Sequence, residues 1–250
     1  MDLSRAGRPA EAATGSGAAV HSIDPNTSAA ADTFARLAIE LHDAPGVEET
    51  VQAVVEFALQ AENCTHAGVI LTGSRGHIEI GAVTSPVVDE LYRHQIDSRT
   101  GPLITALAAQ TVLLIPNIAT ECQWPDWRDK ALEVGIGTAL HVPMIIGDRT
   151  TGVLSLYNQT PDSFGIDDEA IAHILARHAS VALSSARQEQ TMAQAVDARK
   201  IVGQAMGILM ERFDLDSDRA FAILKRYSQD TNRKLRDVAQ DLIDTRKLPR

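Results

Sequence analysis

The residues best equipped for chemistry lie close together near the C-terminus. Between positions 225 and 236 the chain sets five cations, Lys225, Arg226, Arg233, Lys234 and Arg236, against one acid, Asp230. Arg199, Lys200, Gln204 and Gly207 stand a little upstream, and Asn232 sits inside the basic run. Cations crowded at a helix N-terminus, where backbone N–H groups are also free, suit a phosphate. The alternative is a solvated basic face with no ligand. Catalysis has no comparable candidate. Ser184 and Ser185 have no base implied beside them, and the pairs Asp167–Asp168 and Glu48–Glu49 open helices, where the macrodipole accounts for them. No phosphate-cradling glycine loop or metal-spaced His/Cys set occurs, so the chain is expected to be no enzyme and to hold no metal. The sequence names no cofactor.

Three helices must position the basic residues. In the last, Leu235, Val238, Ala239, Leu242 and Ile243 fall at helical spacing and predict one buried stripe. The middle helix runs from about Ser217 to Gln229 behind an Asp216 N-cap, with Ala220, Phe221, Ile223, Leu224 and Tyr227 as its apolar face. The first carries Gly203 and Gly207 one turn apart, on the face of Lys200 and Gln204. Each glycine costs about 1 kcal/mol against alanine inside a helix. Either a neighbouring helix packs very close there or a ligand does, and close packing is the first expectation. Met206 and Met210 read as core filler.

The run Ile201-Val-Gly-Gln-Ala-Met-Gly-Ile-Leu-Met210, the pair Ala220-Phe221, Leu224, Asn232 and Lys234-Leu-Arg-Asp-Val-Ala239 together resemble the ANTAR domain, the RNA-binding module of transcription antitermination regulators. Many members carry Lys where this chain has Met206, so no contact is carried over to that position. The resemblance implies binding to short hairpins in nascent transcripts. It makes the Ala205–Gly207 face and the Asn232–Lys234 turn the base-reading region. The expected RNA-binding set is Arg199, Lys200, Gln204, Gly207, Lys225, Arg226, Asn232, Arg233, Lys234 and Arg236. Its cations would contact phosphates, and its amides would reach unpaired loop bases.

At 250 residues, two domains are a fair expectation. The net charge of −10 is uneven. Residues 1–187 hold 11 Lys and Arg against 23 Asp and Glu, whereas residues 188–250 hold 12 against 10. An acidic body with one basic patch argues for a specific site rather than general nucleic-acid coating. Cys64 and Cys122 suit a reduced, cytoplasmic setting and read as buried thiols. No apolar run reaches the length of a membrane span, and no signal-peptide core opens the chain.

Residues 1–30, rich in Ala, Gly, Ser, Pro and Thr, read as disordered. Residues 31–186 alternate helices and strands. Helices are expected over Thr33–Ala44, Glu48–Ala61, Pro86–Ile96 and Leu103–Ala109. Strands are expected at Cys64–Leu71, His77–Thr84, Val112–Ile115, Gly137–Ile146 and Thr151–Asn158, and Gly147–Thr150 turns the last pair. This is an α+β pattern. His66 and His141 fall on strands and read as core histidines before haem or metal ligands; Tyr157 could face either side, and Trp124 and Trp127 either line a pocket or pack a loop over the sheet. Thr100-Gly-Pro-Leu-Ile-Thr-Ala106, Pro116-Asn-Ile118, Trp124-Pro-Asp-Trp127, Gly135, Val142-Pro-Met144, Gly152-Val-Leu-Ser-Leu-Tyr157 and Phe164 occur in the order of a GAF domain, which this region resembles. That implies a sensor taking a small molecule between sheet and covering helices, or a dimerising module. No cyclic-nucleotide signature or bilin-attachment context is present.

From Asp168 to about Arg212 nothing breaks a helix before Gly203. Ile171, Ile174, His178, Val181, Ser185, Gln188, Met192 and Ala195 follow a loose heptad, which predicts a weak parallel homodimer seam. The expected architecture is a GAF-like antiparallel sheet with flanking helices over residues 31–186, a long connecting helix, and a three-helix ANTAR-like domain over 187–247. The expected function is a signal-responsive antitermination regulator, with an unidentified small-molecule or protein signal. A protein-interaction or dimerisation module and a DNA-binding helix-turn-helix are the alternatives.

Overall fold

The computed structural model describes residues 35–41, 43–61, 63–73 and 76–247. The disorder expected of residues 1–30 lies outside them. Five antiparallel strands form one sheet in the order β2-β1-β5-β4-β3: β1 His66–Thr72, β2 Ile78–Val83, β3 Leu113–Ile115, β4 Thr138–Ile146 and β5 Arg149–Asn158. The β4–β5 hairpin turns on Gly147 and Asp148, with Gly147 at a left-handed φ of 58°.

Strand alternation divides the sheet's side chains between two cores. Val69 and Leu71 of β1, Leu140, Val142 and Met144 of β4, and Leu154 and Leu156 of β5 bury one face. It is covered by a short helix α1 (residues 35–41), by α2 (Val47–Ala61) and by the first half of α6 (Ile166–Phe213). The opposite face, with Ile70, Ala139, Val153 and Tyr157, packs under α3 (Pro86–Ser98), α4 (Pro102–Ala109) and α5 (Pro125–Glu133). Tyr157 therefore faces α3–α5. With both faces covered, β4 and β5 are buried along most of their length.

Helix α5 is not among the helices expected from the sequence. Pro125 supplies the first helical turn, and Trp127 and Ala131, four apart, are its buried residues. The thiols also differ from expectation: Cys64 is half-buried and Cys122 exposed. Both lie at loop positions between elements, and each thiol meets a nearby backbone carbonyl, that of Ala58 or Thr120.

Helix α6 is one unbroken element of 48 residues, about 72 Å at 1.5 Å per residue. Asp167, Asp168 and Glu169 occupy its first turn, and Asp168 accepts from the Gly165 N–H at 2.7 Å. Ala172, Leu175, Ala176, Ala179 and Leu183 lie on the sheet. Residues 188–197 are exposed throughout. The helix is then buried again at Ala205 and Leu209, against α7 (Ser217–Asp230) and α8 (Leu235–Thr245). The first of the three expected short helices is thus the distal end of α6. In this second core Ala220 and Leu224 come from α7, and Val238, Ala239 and Leu242 from α8.

Candidate functional site

All ten predicted RNA-binding residues are exposed. The α7–α8 turn places four of them. Asp216 caps α7 by accepting from the Arg219 N–H at 2.8 Å. The other end closes with Asn232 in the left-handed region, φ 51°. There the Asn232 N–H donates to Gln229 O and the Arg233 N–H to Ser228 O, which is the bonding of a Schellman cap. The Ser228 hydroxyl donates to Arg233 O at 2.6 Å. Asn232 therefore has a structural reason for its identity, since asparagine tolerates this conformation better than most side chains.

The cations of this region are not equivalent. Arg233 is ion-paired with Asp241 of α8, which raises its pKa. Arg226 meets Asp230 at 3.5 Å on the open surface. Lys225, Lys234 and Arg236 have no ion pair among the described residues. Lys234 occupies the N-cap of α8 without a side-chain cap, and Arg236 follows in the first turn. The backbone N–H groups at that end have no side-chain acceptor, and two unpaired cations flank them.

On α6, Gln204 and Gly207 share a groove of about 550 Å³ with Ile208, Glu211, Ile243 and Arg246. Arg246 was missed in the sequence because it lies past the last periodic residue. Arg212 donates to its carbonyl at 2.6 Å and joins the ends of α6 and α8. Arg199 and Lys200 lie further up α6, with no ion pair among the described residues. No hydrogen bond or ion pair among the described residues connects the α6 set to the α7–α8 turn.

Close packing does not explain Gly203 and Gly207. Both are exposed, and a Cβ on either would meet nothing within 4 Å. Phe221 is likewise 40% exposed rather than core, and Met210 stands at 36%. Helix α7 is short of partners on that side: its buried residues are Ala220 and Leu224 alone.

In the sheet domain, one polar group sits inside the core under α3–α5. His141 and Ser155 face each other across β4 and β5, with Nδ1 and Oγ 2.8 Å apart. The imidazole stands edge-on to Tyr157 and Trp127, with centroids 5.6 and 6.4 Å away. Burial holds its pKa down to about 3, so it is neutral at ordinary pH. Burial also pushes the phenols of Tyr92 and Tyr157 up. Ser155 is close enough to temper that shift, but no hydrogen bond of sound geometry joins it to either phenol. Trp127 is thus a core residue of this face, and Trp124 packs half-buried against it. His66, by contrast, sits at the start of β1, with Nδ1 2.8 Å from Thr65 Oγ1.

The described residues contain no group of three His, Cys, Asp or Glu that could hold a metal ion, and no helix long and apolar enough to cross a membrane. On the heptad face of α6, Val181 and Met192 are 60 and 59% exposed.

Comparison with known proteins bears on both halves. A family model for the GAF domain matches residues 44–184, and one for the ANTAR domain matches residues 190–243. No curated protein matches the chain. Among solved structures, the GAF domain of an Acinetobacter phosphoenolpyruvate-protein phosphotransferase is similar at 14% identity and a TM-score of 0.51, over 65% of this chain and 98% of that one. The corresponding GAF domain from Coxiella burnetii gives 16% and 0.51, over 65% and 96%. The Stigmatella aurantiaca phytochrome photosensory core module gives 13% and 0.56, over 83% of this chain and 46% of that one. At these identities the likeness is one of fold. The chain belongs to the GAF domain family and carries an ANTAR domain behind its sensor fold.

Proposed function

We propose that this protein is a signal-responsive RNA-binding regulator of transcription antitermination, in which the GAF domain takes the signal and the ANTAR domain binds hairpins in nascent transcripts. The observation that carries the reading is the N-terminus of α8. Its backbone donors lack a side-chain acceptor, and Lys234 and Arg236 flank them unpaired. A phosphate satisfies both the N–H groups and the charge. The open Gly203–Gly207 face adds support, because glycine there lets a ligand approach the α6 backbone at a site where nothing in the chain needs the space. The protein works as a regulator and not as an enzyme.

The same reading makes the protein a homodimer. Residues 188–197 form about 15 Å of helix exposed on every side. A parallel partner along Val181, Gln188 and Met192 would cover it and fix the spacing of two RNA-binding units.

The test is titration of the full chain with a library of RNA hairpins bearing randomised loops, at several salt concentrations. Selective retention of a shared loop, with affinity falling as salt rises, supports the reading. Equal retention of duplex DNA, or of no nucleic acid, rejects it.

A further inference from the structure

The end of α6 and one side of α7 enclose a groove of about 540 Å³, lined by Phe213, Leu215, Ile223, Arg226, Tyr227 and Asp230. The last four stand at i, i+3, i+4 and i+7, one stripe of α7. Ile223 and Tyr227 pack against the core shared by α6, α7 and α8, so this side of the groove is firmly based. The turn that carries Leu215 is fixed as well. Asp214 ends α6 in the left-handed region, φ 50°, and the N–H groups of Asp214 and Leu215 both donate to Met210 O. Asp216 then caps α7. Phe213 nevertheless keeps half of its surface open, at 51%.

The charged groups define what fits there. The Arg212 guanidinium lies 6.0 Å from the centre of the Phe213 ring, and its hydrogen bond to Arg246 O holds it in place. Arg226 lines the groove itself and meets Asp230 at 3.5 Å on the open surface. An exposed pair of that kind contributes little, so both groups can change partners at small cost. Two guanidinium groups beside an open aromatic ring suit a planar ligand with negative charge next to it, which is the make-up of a nucleotide. The Asp230 carboxylate can only accept, so it calls for N–H donors on the ligand and not for its phosphate. An apolar helix from a protein partner would set all three charged groups against carbon.

The position of the groove agrees with this chemistry. Tyr227 O accepts from the Thr231 N–H at 3.0 Å and from the Thr231 hydroxyl at 2.6 Å, so the groove ends where the α7–α8 turn begins. Asn232, Lys234 and Arg236 follow directly along the chain. We propose that this groove takes one unpaired base of the bound RNA, stacked on Phe213 beside Tyr227. Arg212 and Arg226 meet its flanking phosphates, and Asp230 accepts from its N–H edge. The amino groups of adenine, cytosine and guanine suit that carboxylate, whereas the lone N–H of uracil lies between two carbonyls and suits it less. The site rests on the reading of α6–α8 as an RNA-binding unit and deepens it: the cations at α8 hold the backbone, and the groove takes a base.

The test uses the full chain and the hairpins that it retains from the randomised-loop library. Phe213→Leu keeps the groove apolar but removes the flat ring, and Phe213→Trp keeps a ring. Phe213→Leu is expected to weaken hairpin binding about tenfold or more with the salt slope unchanged, since stacking releases no counterions. Phe213→Trp should bind close to the parent. Replacing the loop nucleotides one at a time by abasic sites is expected to find one position whose loss weakens the parent by a similar factor and costs Phe213→Leu nothing further. In a chain labelled with 3-fluorotyrosine, the Tyr227 signal should move on hairpin binding, while those of the buried Tyr92 and Tyr157 stay in place. Equal hairpin affinity in the parent and Phe213→Leu overturns the groove and leaves the RNA reading standing; if that variant also loses a dimer, the groove belongs to a second copy of the chain. A weakened Phe213→Leu with no coupled abasic position overturns it too, because the ring then acts through the fold. A parent chain that retains no hairpin removes the RNA reading and this site with it.

Discussion

Arg233 is ion-paired to Asp241 across the α7–α8 turn, while its neighbour Lys234 has no ion-pair partner among the described residues. The pair holds one cation of the basic run against α8, while Lys234 and Arg236 have no ion pair among the described residues. Lys234→Ala with Arg236→Ala is therefore expected to weaken hairpin binding tenfold or more and to lower the salt slope by about one to two. Arg233→Ala is expected to cost less than either single substitution. Filter-binding titrations across a salt series decide it; equal losses for all three would remove the distinction.

Gly207→Ala separates stability from binding. A Cβ there meets nothing, so helix propensity acts alone and the variant should gain up to about 1 kcal/mol. If the bare backbone faces RNA, hairpin affinity falls at the same time. Thermal melting and titration of one sample check both; a stabilised variant with unchanged affinity would return Gly207 to the ordinary surface.

His141 makes the sensor domain sensitive to acid. Its folded pKa, about 3, lies below the unfolded value of about 6.5, so the unfolded chain binds the extra proton. Stability is full above about pH 6.5 and declines as pH falls toward 3, by about 1.4 kcal/mol per pH unit within that window. His66, also shifted down by partial burial, adds to the same trend. Urea unfolding between pH 4 and 7 should show a shallower pH dependence in His141→Asn. An unchanged slope would mean that another group carries the effect.

The heptad face of α6 yields an assembly prediction. Val181→Glu with Met192→Glu places four charges in the seam of a parallel dimer, and light scattering should find monomer where the unmodified chain is a dimer. An unmodified chain that stays monomeric at every concentration contradicts the seam.

Much of this architecture was legible from periodicity. The apolar stripe of α8, the β4–β5 hairpin about Gly147 and the unbroken run into α6 follow from local spacing, turn chemistry and the absence of breakers. What escaped depends on contacts distant in sequence. Helix α5 has only Trp127 and Ala131 to bury, too short a pattern to register. Gly203 and Gly207 announced that space was needed on α6 but not whether this chain fills it. The pairing of Arg233 with Asp241, and the place of Arg246 beside Gln204, follow from the angle at which α8 returns onto α6. The meeting of His141, Ser155, Tyr92 and Trp127 depends on strand register and on which helices cover the sheet, which no local signal encodes.

The proposed role of the α6–α8 unit is to read folded RNA. Crosslinking the full chain to RNA in cells and sequencing what it holds tests this most directly. The expected recovery is of transcripts that share a hairpin with a common loop, lost when Lys234 and Arg236 are both alanine. Recovery of no structured transcript, from a protein whose far-UV circular dichroism shows these helices folded, would contradict it.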